Sequence, residues 1–269
     1  MNNLIICSGD SFTAGDELAG DLLVPGYTNN LYKNQSPVSD ERTKIFQQLQ
    51  DETSKFWTNF SERIKYQDEC KKRAWPAHLK NLLTDTEVVN CAGPGLSNEE
   101  IVHRAIETFF ELKNNYAPAN IKIIIMVTSY NRFGIPVYEK NHITEYNYVS
   151  YTTHHTKEKI EPKYAQHEFN NFFFRIKDYD RIIRSISSLS FCKRFFESNN
   201  IKIHFIDSCL WDSQITKFNF ENKEKVLYFQ NIIPLLCKMT DVNIPSVLPG
   251  HHFPETAHKD FAQYISKLI

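Results

Sequence analysis

Residues 4–12, LIICSGDSF, set an apolar run directly against a small polar turn. Leu4, Ile5, Ile6 and Cys7 leave no polar face for water, so the run suits a strand buried on both sides. Ser8, Gly9, Asp10 and Ser11, which follow, are turn formers. Taken alone, such a turn serves equally well as a helix cap or as the place where a reactive serine is held.

The same pattern recurs along the chain. Val88–Cys91 runs into Ala-Gly-Pro-Gly, Ile121–Val127 into Thr-Ser-Tyr-Asn, and Ile201–Ile206 into Asp-Ser. Helical stretches lie between these runs. Residues 75–83 place Pro76 at a helix start. Residues 97–115 open with Ser97 and Glu100 in capping-box spacing. They continue with Ile101, Ala105, Ile106, Phe109 and Leu112 on one stripe. Residues 179–199 and 261–269 read as helices, as does 223–239, which Pro234 bends or breaks. Alternating strands and helices predict an α/β protein: a mostly parallel central sheet with helices on both faces, a three-layer α/β/α sandwich. Ligands of such sheets bind beyond the carboxyl ends of the strands, where the polar turns fall. Residues 21–72, rich in charges and amides, and residues 133–175, rich in Tyr, His, Asn and Thr, depart from the pattern. Each follows a strand end and is expected to overhang the site as a lid or wall of one domain spanning 1–269.

Composition narrows the function classes. A net charge of -1 provides no field for nucleic acid or anionic membrane, and the basic run Lys71-Lys72-Arg73 is read as a helix's solvent face. Six cysteines (Cys7, Cys70, Cys91, Cys192, Cys209, Cys237) show no CxxC pair, which argues against a disulfide framework or a zinc site. No cofactor or metal is expected; the His154-His155 pair has no companions at ligand spacing. A basic n-region and an 18-residue apolar stretch are both missing, so a cytoplasmic protein is expected, with phage or viral origin compatible.

Four blocks now stand in order: GDSF (9–12), NCAGPGLSN (90–98), TSYNR (128–132) and GHHFPETAHKDFA (250–262). Together they resemble the SGNH, or GDSL-like, hydrolase family from residue 4 to residue 265. The resemblance implies a flavodoxin-like sandwich and a serine esterase. It implies Ser11 as nucleophile, with the Ser11 N–H, the Gly95 N–H and the Asn131 amide as oxyanion hole. His252 becomes the catalytic base. Gly93 competes with Gly95, and His251 with His252. The third block departs from the family's Gly-x-Asn-Asp, with Ser129 for Gly and Arg132 for Asp. The register that sets His258 on the family's later His leaves Pro249 where the triad acid belongs. A backbone carbonyl, Asp207 or Asp212 is left to orient His252, and Asp10 is expected to hold the turn. Tyr130 and Arg132 flank the site as substrate contacts, and His258 reads as structural.

The chemistry is consistent with these residue types. A serine hydroxyl needs an adjacent base to attack an ester, imidazole exchanges protons near neutrality, and amide donors stabilise the oxyanion. The polar, aromatic 133–175 segment favours a carbohydrate-like ester over a long acyl chain. An O-acetyl or short-acyl esterase is the leading expectation. An acyltransferase on the same fold and a catalytically degenerate carbohydrate-binding or structural module are the alternatives.

Overall fold

The computed structural model describes residues 2–27, 40–55, 60–128, 132–137, 147–151, 178–207 and 255–269. Along the chain come β1 (Asn3–Ser8), α1 (Ser11–Ala14), α2 (Asp40–Ser54), α3 (Phe60–Arg73), α4 (Trp75–Leu82) and β2 (Thr86–Asn90). These are followed by α5 (Asn98–Leu112), β3 (Ile121–Val127), β4 (Phe133–Val137), β5 (Asn147–Tyr151), α6 (Asp178–Ser198), β6 (Lys202–Asp207) and α7 (Glu255–Ser266). The expected helix at 223–239 lies outside the described residues, as do Cys209 and Cys237.

The four apolar runs form one parallel sheet in the order β2-β1-β3-β6. Alternation along each strand sorts side chains to two cores. Leu4 and Ile6 of β1, with Ile121, Ile123, Ile125 and Val127 of β3, pack on one side against Val102, Ala105 and Phe109 of α5 and Leu189, Cys192 and Phe196 of α6. Ile5 and Cys7, with Ile124 and Met126, pack on the other side against Trp75 and Leu79 of α4 and Phe261 and Ile265 of α7. The protein is thus α/β, a parallel four-stranded sheet flanked by helices, compatible with a three-layer sandwich. Burial on both faces is why Leu4–Cys7 of β1 and Ile123–Val127 of β3 are apolar without a break. Each fully buried Ile or Leu contributes about 2 kcal/mol.

Helix α5 starts as expected: Ser97 accepts from the Glu100 N–H, and the Glu100 side chain accepts from the Ser97 N–H at 2.8 Å. Helix α7 begins at Glu255, earlier than residue 261, because buried Ala257 and His258 extend the apolar stripe of Phe261, Ala262 and Ile265 by one turn. The 21–72 segment does more than overhang. Its α3 packs against α1 and α4 and buries Tyr66 and Cys70 beside Ala19. The 133–175 segment begins with the antiparallel pair β4-β5. No described helix is long and apolar enough to cross a membrane, and the four described cysteines Cys7, Cys70, Cys91 and Cys192 are free thiols.

Half-buried His204 of β6 has an Nε2 without a hydrogen-bond partner among the described residues. Burial, assisted by the charges of Lys202 and Lys122, lowers its pKa from 6.5 to about 4. Between these values the unfolded chain binds a proton that the folded chain refuses, so stability falls as pH drops from 6.5 toward 4. His78 is shifted in the same direction, chiefly by burial. Melting temperatures recorded across this window are expected to fall with acid, and less steeply in His204→Leu. An unchanged slope in that variant would exclude His204 as a source of the acid sensitivity.

Candidate functional site

The sheet order places β2 on one side of β1 and β3 on the other, so the sheet is wound outward in opposite directions from the gap between β1 and β3. Crevices of α/β sheets open at such a switch point. Two of the polar turns emerge here.

The first carries Ser11 as the opening residue of α1, capped by Asp10. Asp10 Oδ1 accepts from the Phe12 N–H at 3.2 Å. Its Oδ2 accepts from Thr128 Oγ1 at 2.8 Å and from Arg132 Nη1 at 3.2 Å. Both carboxylate oxygens are therefore engaged, in a place where only 7% of the Asp10 side chain is exposed. Buried carboxylates demand such partners. Gly9 makes the turn possible by close approach, since a methyl group there would sit 2.8 Å from Met126 Cβ. Thr13 Oγ1 donates to Met126 Sδ at 3.2 Å, and the Phe12 ring lies against the His258 ring, 4.5 Å between centroids. Ser11 is thus held on a turn anchored to β3, α5 and α7.

The α5 anchor is Asn98, a buried side chain whose amide imitates a peptide group. Its Nδ2 donates to the Thr128 carbonyl at 2.9 Å, and its Oδ1 accepts from the Thr128 N–H at 3.0 Å. It thereby satisfies the backbone of β3 just where the ladder stops. Ser185 Oγ of α6 also accepts from Asn98 Nδ2 at 3.3 Å. Asn90 does similar work at the end of β2: Nδ2 donates to the Thr13 carbonyl at 2.8 Å and Oδ1 accepts from the Ala92 N–H at 3.1 Å. Ser8 Oγ donates to the Ile101 carbonyl at 2.8 Å. Sequence reasoning passed over Asn90, Asn98 and Thr128. Their signal was only that backbone groups at strand ends need partners.

The two candidate glycines differ. Gly95 has φ +73°, and a methyl group added there would meet nothing within 4 Å. It holds the left-handed conformation that glycine adopts freely. Gly93 is covered, with Arg104 Nη1 2.8 Å from the position of such a methyl. His258 is fully buried, and its Nδ1 accepts from the Trp75 N–H at 3.1 Å; it joins α7 to the start of α4. Asp207 ends β6 opposite Val127. Tyr130, Asn131, Asp212, His251 and His252 lie outside the described residues. The structure thus brings together Ser11, Asp10, Thr128 and Arg132 at the switch point. Among the described residues no three His, Cys, Asp or Glu side chains gather as metal ligands.

The ion pair of Arg132, a candidate substrate contact, with Asp10 ties the residue after Asn131 to the residue before Ser11. Asp10→Asn keeps an acceptor for the Phe12 N–H but loses the charge. It is expected to cost about 2 kcal/mol in urea unfolding, the magnitude of a hydrogen bond to a charged group. A double-mutant cycle with Arg132→Gln is expected to show a coupling of about 1 kcal/mol. Additive losses would mean that the pair does not hold the two turns together.

No protein-family model matches this chain, and no curated protein matches it.

Proposed function

We propose that the protein is a serine esterase of the SGNH hydrolase type, on a flavodoxin-like three-layer sandwich. It cleaves a carboxylic ester, an O-acetyl or short acyl group on a carbohydrate-like substrate, through an acyl-enzyme on Ser11. The carrying observation is the place of Ser11: it opens a helical turn at the carboxyl end of the central strand β1, at the switch point. The neighbouring Asp10 carboxylate is turned to Thr128 and Arg132.

In this reading Ser11 Oγ attacks the carbonyl carbon while His252 takes its proton. The C–O bond to the alcohol then breaks as His252 returns that proton to the leaving oxygen. Water repeats the sequence on the acyl-enzyme and releases the acid. The N–H of Gly95, which holds the left-handed conformation, the Ser11 N–H and the Asn131 amide receive the oxyanion. Asp10 is a positioning residue with no proton to move, since its oxygens serve the cap and the ion pair. Tyr130 and the polar 133–175 segment contact the sugar-like part of the substrate.

Wild-type protein is expected to label with a fluorophosphonate probe at Ser11 and to hydrolyse p-nitrophenyl acetate. Ser11→Ala abolishes both, and Asn131→Ala lowers kcat roughly 100- to 1000-fold, the usual consequence of losing one oxyanion donor. Folded wild type that neither labels nor turns over, or Ser11→Ala that retains the wild-type rate, would overturn the reading.

A further inference from the structure

The outer face of α5 and α6 presents aromatic surface that packing within the fold leaves open. Phe109 and Phe196 are buried in the core beneath it. Phe110 of α5 is 50% exposed, and Phe191 of α6 is 57% exposed. Phe195 lies between them, its ring centroid 5.8 Å from that of Phe110 and 6.1 Å from that of Phe191. The three rings form one row across the two helices. A contiguous apolar row of this kind marks an interaction surface, where single exposed side chains do not.

The charges beside this row differ on the two helices. Glu107 stands three residues before Phe110 on α5, and Arg194 three residues after Phe191 on α6, so each shares the face of an exposed ring. Both are exposed, and Glu107 also meets His103 Nδ1 of its own helix at 3.3 Å. The other cations nearby are turned elsewhere: Lys113 onto the Phe110 ring at 4.4 Å, Lys193 to Glu197, and Arg104 toward Gly93. The helices run side by side in one direction. Arg184 reaches Glu99, and eleven residues further along each helix Phe195 meets Phe110. Glu107 therefore falls about 3 Å short of the level of Arg194 along the axis. Two copies can face each other about a two-fold axis that runs along the helices or across them. An axis across them lays α5 on α5 and turns Glu107 toward its own counterpart. An axis along them lays α5 on α6 at unchanged heights and sets Glu107 of each copy beside Arg194 of the other.

We infer that this face binds a second copy of the chain in an isologous dimer. The Phe110–Phe195–Phe191 row forms its centre, α5 of one copy lies against α6 of the other, and Glu107 pairs with Arg194 across the interface twice. Two adjacent helices, each about 10 Å wide and at least about 22 Å long, offer roughly 500 Å² per copy. The total of about 1,000 Å² is at the lower end for a specific interface, so association is in the micromolar range. The row lies in the second half of both helices. These run back toward the amino ends of the strands, so the interface leaves the Ser11 crevice of each copy open. The dimer goes beyond the esterase reading and stands or falls without it.

Sedimentation equilibrium of the full chain from about 1 to 200 μM tests this. The mass of the wild type is expected to rise toward twice that of the chain, with a midpoint in the tens of micromolar. Phe191→Ser is expected to raise the midpoint about tenfold or more, as the loss of a central aromatic anchor does. Glu107→Arg and Arg194→Glu each set like charges face to face and are expected to weaken association about as much. An equimolar mixture of these two single variants is expected to associate as the wild type does, because their heterodimer restores both ion pairs. All three substitutions fall on exposed positions, so melting temperatures at low concentration should stay near that of the wild type and certify the fold. A wild type that remains monomeric throughout, whether its own chain or another protein covers the row, overturns the dimer. So does a dimer indifferent to Phe191→Ser, or a mixture that fails to recover.

Discussion

A sheet covered on both faces leaves no room for polar chemistry along its strands. In β1 and β3 every interior position points into one of two apolar cores, so the first polar side chains available are those beyond the strand ends. That constraint gathers Ser8, Asp10, Ser11, Thr128 and Arg132 in one place although the chain separates them by more than a hundred residues. It also creates a difficulty. Where parallel ladders stop, backbone N–H and C=O groups lose their partners close to the core, and side chains must replace them. Asn90 and Asn98 do so with both ends of their amides, and Asp10 with both of its oxygens.

The Asp10 junction explains how a four-residue helix holds a fixed geometry. Isolated, α1 is far too short to be stable. It persists because its cap is at once an ion-pair and hydrogen-bond partner of the turn after β3, and because Phe12 packs in the core between His258 and Phe261. A group placed on such an element is fixed by tertiary contacts, which is what preorganised chemistry requires.

The architecture was legible because its signals are local. Apolar runs ending in turn residues located all four strands of the parallel sheet, and Ser97 with Glu100 located the start of α5 to the residue. The starts of α7 and α3 were less legible. His258 looks polar in the sequence yet is buried because the Trp75 N–H supplies its partner, and no local pattern encodes a bond across 183 residues. At the candidate site, Ser11 and Gly95 stood out by residue type. The Asp10–Arg132 pair did not, because two opposite charges 122 positions apart carry no spacing rule. In the basic run, Lys72 is exposed while Lys71 and Arg73 are half-buried, a difference that no local pattern encodes.

One further consequence follows for the group that would orient His252. Asp10 is adjacent in sequence to Ser11, but both of its oxygens already serve the cap and the turn after β3. Pro249 supplies no acid either. Asp207 ends β6 level with Val127, on the second strand over from β1. Neighbouring strands lie about 4.8 Å apart, so β6 runs about 10 Å to the side of β1, with Asp207 two residues further along than Ser8. A serine, an imidazole and a carboxylate linked by two hydrogen bonds span a comparable distance. Asp207 ends a strand at a spacing that leaves room for a histidine between itself and Ser11, and Asp212, the other carboxylate weighed for this role, lies outside the described residues. In the proposed mechanism, support from Asp207 would reach the base from the far side of the switch point, while the acid beside the nucleophile serves the fold.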